Sequence, residues 1–322
     1  MAVRPLDKPV KEAVEMRKAY CDTLIELSRC NPNIVVLDSD LMSSMGMIPY
    51  LKEFPERTFN CGVQEANMMG VAAGLSVVGK IPYAHTFGPF ATRRSCDQIF
   101  MSGAYARANV RIIGSDPGVT AAFNGGTHMP FEDLGIMRCI PEMTILEPTD
   151  AVMLKDIIRQ TEKLYGMFYI RLIRKAAVQI YEEGSTFEIG KAVTVRDGHD
   201  LTIMANGIMV PEAVKAHDLL KEQGISARVL NPFTLKPMDA EAVARAARET
   251  GAIVTAENHN YLNGLGSAVA EIVAETCPVP VGRVGVKDVF GQVGSEDYLQ
   301  KTYGLMAEDI VAKALDVLKL KK

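Results

Sequence analysis

The sequence predicts two α/β domains, each built on a mainly parallel β-sheet with helices on both faces. Short runs rich in Val, Ile and Leu alternate with longer segments of helical periodicity, which is typical of parallel strands joined by crossover helices. The 322 residues exceed the size at which a single hydrophobic core keeps growing. The alternation also starts afresh near residue 190. We therefore expect a first domain over residues 1–180 and a second over residues 190–322.

The strands of the first domain are predicted from continuous apolar runs, because a parallel sheet buries its strands on both faces. These runs lie at residues 34–38, 81–85, 110–114, 143–146 and 168–172. Helical periodicity predicts one helix around residues 14–27 and another that begins after Pro148-Thr149. The order changes over residues 175–190, where Glu182-Glu183-Gly184-Ser185 offers little that could enter a core. We interpret this polar stretch as a linker.

The second domain shows the same alternation on a smaller scale. Its predicted strands lie at residues 201–204, 227–230 and 252–255, and its predicted helices at about 209–223, 239–250 and 265–275, followed by a final helix before the C-terminal lysines. The chain contains no internal repeat of 20–50 residues and no low-complexity tract. The second domain is therefore expected to be a smaller α/β unit.

Composition excludes several functional classes. The hydrophobic content of 48% and charged content of 23% are those of an ordinary globular protein. A net charge of −4 and a pI near 5.8 give no electrostatic basis for binding nucleic acid or an anionic membrane. The six cysteines form no Cys-x-x-Cys pair, and no apolar run reaches 18 residues. We expect a cytoplasmic protein with reduced thiols and no metal site of its own.

Glu65 is the only charged residue between Arg57 and Lys80, and it opens an uncharged, largely apolar segment. A carboxyl group in this context has two interpretations. It is either an exposed acid in the first turn of a helix, where it stabilises the helix dipole, or a buried acid with a raised pKa. The local sequence favours the helix-end interpretation, and only the second would make Glu65 the centre of a catalytic mechanism.

Two phenylalanines, Phe87 and Phe90, follow the strand predicted at residues 81–85. Binding side chains of open α/β sheets gather at such strand-to-helix corners, and a pair of aromatic rings there can stack on a planar heterocycle. Ordinary core phenylalanines are the alternative. His85, within the strand, is expected to be a hydrogen-bonded structural histidine.

Two other features carry groups suited to chemistry. The loop that follows residue 114 is rich in glycine and polar residues and contains His128, which is either an acid, base or hydrogen-bond donor or a solvated loop residue. Arg17 and Arg174 lie near predicted element ends and suit anionic ligands, although surface arginine is the more ordinary interpretation. In the second domain, Glu257-Asn258-His259 is interpreted as a structural or interface turn.

Several short motifs occur in a fixed order between residues 55 and 128. They are Pro55-Glu56-Arg57, Phe59-Asn60-Cys61-Gly62-Val63-Gln64-Glu65-Ala66-Asn67-Met68, Gly70-Val71-Ala72-Ala73-Gly74-Leu75, Thr86-Phe87 to Phe90, Asp97-Gln98-Ile99 and Gly125-Gly126-Thr127-His128. In order and spacing, over nearly the whole chain, they resemble the C-terminal half of transketolase. The resemblance implies a pyrimidine-binding domain followed by a transketolase C-terminal domain, as in the stand-alone second subunit of a split transketolase.

The resemblance implies thiamin diphosphate as cofactor and gives Glu65 a role. In this family the matching glutamate hydrogen-bonds the aminopyrimidine ring from a water-poor site and so activates the thiazolium carbon. Phe90 matches the aromatic residue that stacks on the aminopyrimidine, and Phe87 lines the same pocket. Asp40 matches an acidic residue near the cofactor. The resemblance therefore favours the catalytic interpretation of Glu65.

The resemblance also places the substrate. Positions that match substrate-binding residues of the family are Arg17, Ser43 or Ser44, Asn124, His128 and Arg174, of which His128 matches a histidine beside the reacting carbonyl. Two positions depart from the family pattern. Asn124 falls opposite a substrate-reading aspartate, and Ser115 or Asp116 falls opposite a phosphate-contacting histidine. A branched or sulfonated sugar is therefore a candidate substrate beside an ordinary sugar phosphate.

The family's domain that binds the diphosphate and Mg²⁺ has no counterpart in this sequence. The resemblance thus implies a subunit that is inactive alone and that needs an N-terminal partner subunit, with active sites at subunit interfaces of an α2β2 assembly. The expected reaction is transfer of a two-carbon ketol unit from a ketose to an aldose. The alternatives are a subunit like 1-deoxyxylulose-5-phosphate synthase or the 2-oxoacid dehydrogenase β chain, or a non-catalytic pairing subunit.

Overall fold

The computed structural model describes residues 3–321. Its strands are β1 (Pro5–Lys11), β2 (Ile34–Asp38), β3 (Thr58–Asn60), β4 (Ile81–Phe87), β5 (Val110–Ser115), β6 (Thr144–Leu146), β7 (Met167–Leu172), β8 (Val178–Tyr181), β9 (Val193–Arg196), β10 (Leu201–Ala205), β11 (Ala227–Asn231), β12 (Thr234–Lys236), β13 (Ile253–Asn260) and β14 (Val281–Val286).

The helices are α1 (Met16–Cys30), α2 (Ile48–Glu53), α3 (Glu65–Val77), α4 (Gly88–Ala91), α5 (Cys96–Gln98), α6 (Asp133–Arg138), α7 (Ala151–Lys163), α8 (Met209–Glu222), α9 (Ala240–Thr250), α10 (Leu265–Thr276), α11 (Glu296–Tyr303) and α12 (Ala307–Leu318). Short 3₁₀ segments lie at Pro55–Arg57, Gly118–Asn124 and Gly126–His128, and a π-helical segment at Ile99–Tyr105. Within residues 3–321, no helix is both long and apolar enough to cross a bilayer.

The larger sheet has the order β12-β6-β7-β5-β4-β2-β3. Its pairings are parallel except at β12, which comes from the second half of the chain and pairs antiparallel with β6. The middle strands are buried along their whole length, as continuous apolar runs require. Helices α1 and α7 pack together on one face, and α3 packs with the π-helical segment on the other. The predicted α/β class is confirmed.

The smaller sheet has the order β14-β13-β10-β11-β9, in which only the edge strand β9 is antiparallel within the described part of the chain. Helices α8 and α12 contact one another on this sheet, and α9 contacts α10. The segment expected to be a linker differs from the prediction. It starts with β8, which pairs antiparallel with β1, and it buries Tyr181 and Phe187. Asp150 explains this docking, because its carboxylate accepts hydrogen bonds from the Ile180 and Tyr181 amides.

Arg171, on β7, joins the two sheets through a fully buried network. Its guanidinium donates from Nε to Asp133 at 2.8 Å and from Nη1 to Glu147 at 2.9 Å and to the Asn258 carbonyl at 3.2 Å. Tyr169 also donates its hydroxyl to Asp133 at 2.6 Å. Asp133 and Glu147 belong to the first sheet's layer, whereas Asn258 lies on β13 of the second. This guanidinium therefore contributes a buried contact between the domains, in addition to the pairing of β12 with β6.

The pKa values of the two acids around Arg171, Asp133 and Glu147, are shifted in opposite directions. Burial opposes ionisation of Asp133, but Arg171 and its hydrogen bonds outweigh burial and lower the pKa of Asp133. Burial raises the pKa of Glu147 despite the same arginine. Arg171 thus outweighs burial at Asp133, whereas burial outweighs Arg171 at Glu147.

Removal of the Arg171 charge should be strongly destabilising, because Asp133 would be left as a buried, uncompensated anion. We expect Arg171→Met to lower the free energy of unfolding by about 3–5 kcal/mol in urea denaturation. Arg159→Met is the matched control, because Arg159 forms a largely exposed pair with Glu26 and should cost less than about 1 kcal/mol. Equal costs for the two variants would contradict the role given to Arg171.

Candidate active site

The candidate site lies at the edge of the larger sheet where β2, β4 and β5 end side by side. Ligands of open α/β sheets bind outside the carboxyl ends of the strands. Asp40 follows β2, Phe87 ends β4, and Asp116 follows β5. The next helix along the edge, α3, begins with Glu65. The topology therefore brings residues that are far apart in sequence to one rim.

Glu65 combines the two interpretations that its sequence left open. It is the first residue of α3, as a helix-end acid would be, yet it is only 2% exposed. Its carboxylate accepts from Nη1 of Arg94, with distances of 3.0 Å to Oε1 and 2.9 Å to Oε2. The Arg94 guanidinium carbon also lies 3.9 Å from the centroid of the Phe90 ring. A planar cation is thus held between a buried carboxylate and an aromatic face.

A tight turn after α4 puts Arg94 in this position. Thr92 donates its hydroxyl to the Gly88 carbonyl, Ser95 donates its hydroxyl to the Phe90 carbonyl, and the Arg94 amide donates to Pro89. These bonds satisfy the carbonyls of a helix too short to satisfy its own. They also direct the Arg94 side chain back over Phe90.

Phe87, Phe90 and His128 form one aromatic cluster. The phenylalanine rings lie edge to face with centroids 6.1 Å apart, and the His128 ring is 5.2 Å from Phe87 and 5.1 Å from Phe90. Partial burial lowers the pKa of His128, Asp116 opposes this shift, and Arg174 and Arg94 add to it. His128 is therefore neutral at pH 7, with Nδ1 2.9 Å from the Thr127 hydroxyl.

The loop that carries His128, residues 116–128, has a strained backbone. The backbone φ angles of Asp116, Gly118 and Ala122 are 56°, 52° and 46°. Residues other than glycine rarely adopt this left-handed region. Asn258 of the second domain holds the loop, since its amide donates to the Pro117 carbonyl at 2.8 Å and accepts from the Val119 amide at 2.9 Å. The second domain thus supports the position of His128.

Two arginines flank the aromatic cluster. Arg174 forms an ion pair with buried Asp116 at 2.6 Å, and its guanidinium carbon lies 4.9 Å from the Phe87 ring centroid. Arg17 donates from Nη1 to the Ser44 carbonyl at 2.9 Å, and its amide donates to the Arg174 carbonyl at 3.4 Å. The structure therefore brings together Arg17, Ser44 and Arg174, three positions at which the resemblance implies substrate binding.

Other predicted residues lie further out. Ser43 and Asn124 are exposed. Asp40 is also exposed, with a φ of 63°, and in the described residues its contacts are with Asn60 rather than with Glu65. Asn60 precedes α3, so Asp40 is tied to the loop that leads into the Glu65 helix. His85 is fully buried, with Nδ1 3.2 Å from Asp38 Oδ2, but neither ring nitrogen has a hydrogen-bond partner among the described residues, which corrects the expectation of a hydrogen-bonded histidine.

Sequence reasoning missed Arg94 and Asn258 as parts of this site. Arg94 directly follows the aromatic corner, but an arginine in a polar turn is ordinarily solvated, and only the fold shows that it meets Glu65. Asn258 lies in a segment that the sequence indicates as a structural turn of the second domain. Its contact with the loop that carries His128 depends on how the domains dock, which local sequence does not encode.

Comparison with known proteins identifies the family. The family description "Transketolase, pyrimidine binding domain" matches residues 12–178, and "Transketolase, C-terminal domain" matches residues 190–310. The chain belongs to the transketolase family. The chain is 51% identical to the "6-deoxy-6-sulfo-D-fructose transketolase subunit SqwH" of Clostridium sp. (strain MSTE9), over 94% of each chain. It is 36% identical to an apulose-4-phosphate transketolase subunit of Phocaeicola vulgatus, over 95% of this chain and 98% of that one.

Solved structures agree with this assignment. A structure described as "Split gene transketolase, inactive beta4 tetramer" superposes with a TM-score of 0.89 at 43% identity, covering 97% of this chain and all of that one. Transketolase from Leishmania mexicana shares the fold, with a TM-score of 0.79 at 21% identity and coverage of 47% of its own length. The chain is therefore a transketolase-type subunit equal in extent to split-gene relatives.

Membership of the transketolase family implies thiamin diphosphate as the cofactor, and the residues present fit its aminopyrimidine end. The Arg94 guanidinium, a planar nitrogen-bearing cation, lies over the Phe90 ring and is hydrogen-bonded to Glu65. A flat ring with nitrogen atoms on its edge meets the same two partners. The Glu65 carboxylate and the Phe90 ring face are thus the two groups of this chain suited to such a ring.

The pKa of His128 offers a direct test of the electrostatics of this cluster. We expect its ring signals in an NMR titration to change at a pH below the ordinary 6.5, because burial disfavours the charged ring. Asp116→Asn should lower the midpoint further, since Asp116 favours the imidazolium. Asp40→Asn, an exposed acid on another loop, should leave the midpoint unchanged. A midpoint that rises in Asp116→Asn would contradict the arrangement.

Proposed function

We propose that this chain is the pyrimidine-side subunit of a two-component transketolase, which transfers a two-carbon ketol unit from a ketose to an aldose. The observation that carries the proposal is the cluster of Glu65, Phe90 and His128 at one rim of the sheet. An intact cluster of this kind argues against a non-catalytic pairing subunit. The two domains assigned to residues 1–180 and 190–322 have separate roles, one forming the site and the other supporting its loop.

When bound, thiamin diphosphate supplies the nucleophilic thiazolium carbon that accepts the two-carbon unit. The chain's own residues hold and orient the other end of the cofactor. Glu65 would share a proton with the ring nitrogen from its buried position, Phe90 would cover one ring face, and Phe87 would line the pocket. Asp40, which is tied to the loop before α3, would close the rim on that side.

His128 acts on the substrate rather than on the cofactor in this proposal. It is neutral at pH 7, and its imidazole packs edge to face against both Phe87 and Phe90. A neutral imidazole can donate one proton and accept another within the same site. We assign to it the hydrogen bond and proton exchange at the substrate oxygen.

A partner subunit completes the site. The chain covers 94% of the Clostridium protein but only 49% of human "Transketolase-like protein 2". That difference supports an N-terminal partner that binds the diphosphate and Mg²⁺. The description of the similar split-gene structure as an inactive β4 tetramer supports self-association and a need for the partner. We propose an α2β2 assembly in the cytoplasm.

The substrate is proposed to be an anionic ketose or aldose, of which a sulfonated sugar fits best. Arg17 and Arg174 lie close together, Arg17 holds the Ser44 carbonyl, and Ser43 and Asn124 are exposed. Asp116, one of the two positions (with Ser115) that fall opposite a histidine of the family pattern, pairs with Arg174. The exchange lowers the positive charge that faces the anion. A sulfonate carries a single negative charge, whereas a phosphate monoester carries about −1.5 to −2 at pH 7. The name of the Clostridium relative supports the same class.

Glu65→Gln tests the catalytic assignment. In a complex with the partner subunit, thiamin diphosphate and Mg²⁺, we expect kcat for ketol transfer to fall by at least about 100-fold, because glutamine cannot exchange the proton. Glu271→Gln, which alters a largely exposed acid paired with Arg138, should retain full activity. Unchanged activity of Glu65→Gln in an active complex would refute the assignment.

Arg174→Ala tests the anion site. In the same complex we expect kcat/KM for a 6-sulfonated or 6-phosphorylated ketose to fall about 10- to 100-fold, while the value for uncharged erythrulose stays nearly constant. Arg29→Ala, which removes a surface arginine paired with Glu53, should change neither value. An equal loss for charged and uncharged donors would show that Arg174 supports the fold rather than the anion.

Asp116→His tests the preference between the two anions. The substitution restores a cation and should shift the ratio of kcat/KM values towards the phosphorylated ketose. If the ratio of kcat/KM values for the two ketoses does not change, Asp116 does not select between the substrates.

A further inference from the structure

Arg94 fills both recognition elements of the pocket assigned to the aminopyrimidine. Its Nη1 bridges the two oxygens of Glu65 at 3.0 and 2.9 Å, and its guanidinium carbon lies 3.9 Å above the Phe90 ring. The guanidinium is flat and presents N–H groups at its edge, as an aminopyrimidine does. Both groups therefore need the same carboxylate and the same aromatic face, and they cannot occupy the pocket together.

The two partners of this ion pair differ in exposure. The Glu65 side chain is 2% exposed, whereas the Arg94 side chain is 46% exposed. Rotation of Arg94 into solvent would bury no charge and would free the pocket. Glu65, in contrast, is covered while the ion pair is formed, and departure of Arg94 would leave its carboxylate without a counter-charge until a ligand took the place of the guanidinium. The arrangement is thus stable in the free chain and open to exchange.

Arg94 has no competing side-chain anchor in the described residues, since its contacts are Glu65 and the Phe90 ring. The preceding residue, Arg93, is directed elsewhere. It pairs with Glu132 at 3.0 Å and donates to the Thr127 carbonyl, although its side chain is equally exposed at 46%. The turn thus carries two arginines of equal exposure, of which only one enters the pocket.

We propose that Arg94 is an internal placeholder for the aminopyrimidine, which holds Glu65 in the free chain and leaves the pocket when the cofactor enters. This inference rests on the proposed function, because it requires that the pocket take the pyrimidine end of thiamin diphosphate. It adds that the Arg94 side chain occupies the pocket of the free subunit. The entering cofactor would have to displace the ion pair between Arg94 and Glu65. Arg94 consequently weakens the binding of the pyrimidine group to the free chain.

The test uses the pyrimidine alone, so that neither the partner subunit nor the diphosphate contributes. Binding of 4-amino-5-hydroxymethyl-2-methylpyrimidine to the purified full chain is measured by ligand-observed NMR titration. We expect Arg94→Ala to bind this probe about 5- to 10-fold more tightly than the unmodified chain, since the competing ion pair is gone. Arg93→Ala is the matched control and should bind like the unmodified chain. Arg94→Lys keeps the charge but not the flat guanidinium and should have intermediate affinity.

A second readout follows thermal unfolding. Arg94→Ala should lower the melting temperature of the free chain, and saturating pyrimidine should raise it by more than in the unmodified chain. If Arg94→Ala does not fold, the affinity gain in Arg94→Lys decides the question.

The outcomes separate this inference from the proposed function. Equal or weaker probe binding by Arg94→Ala, with Glu65→Gln binding none, would overturn the placeholder and keep the cofactor site. Binding that is unaffected by Glu65→Gln, or absent from every variant, would overturn the proposed cofactor site and the placeholder with it.

Discussion

The buried network around Arg171 is the interaction on which the arrangement of the site depends. Arg171 ties β7 of the first sheet to β13 of the second, through Asp133 and the Asn258 carbonyl. The Asn258 side chain then holds the strained loop that carries His128. A charge buried between domains is costly unless it is fully paired, so the network favours this docking. The position of His128 at one rim thus depends on contacts in the interior, and the second domain supports the loop that carries it.

The environment of Glu65 shows how one residue can meet two requirements. Its place at the start of α3 gives it the favourable field of the helix, and its burial gives it the water-poor surroundings that cofactor activation needs. Burial also creates a problem in the absence of a ligand, since an unpaired carboxylate is costly there. Arg94 resolves that problem from the solvent side. In the proposed two-subunit enzyme, the free subunit would face this situation, and an internal counter-ion would meet it.

Much of the fold could be predicted from the sequence because parallel strands carry their own signal. The runs at β2, β5, β7 and β10 are apolar throughout, since both faces are covered. Edge strands β1, β8, β9 and β12 were not predicted, because they are short, partly polar and paired with distant segments.

At the site, Phe87, Phe90 and His128 followed from motif order, and the structure brings them together. Arg94 and Asn258 could not be predicted in the same way. Each acts through a contact that exists only once helices and domains are packed, and an arginine or asparagine in a turn has no local feature that distinguishes this use.

The most direct test of a cofactor site shared between two chains is to measure which chains bind thiamin diphosphate tightly. Calorimetric titration of thiamin diphosphate in the presence of Mg²⁺ would compare this chain, its diphosphate-binding partner and their equimolar mixture. If each chain holds only one end, as proposed, the mixture should bind at least about tenfold more tightly than either chain alone. Equally tight binding by this chain without the partner would contradict a divided site.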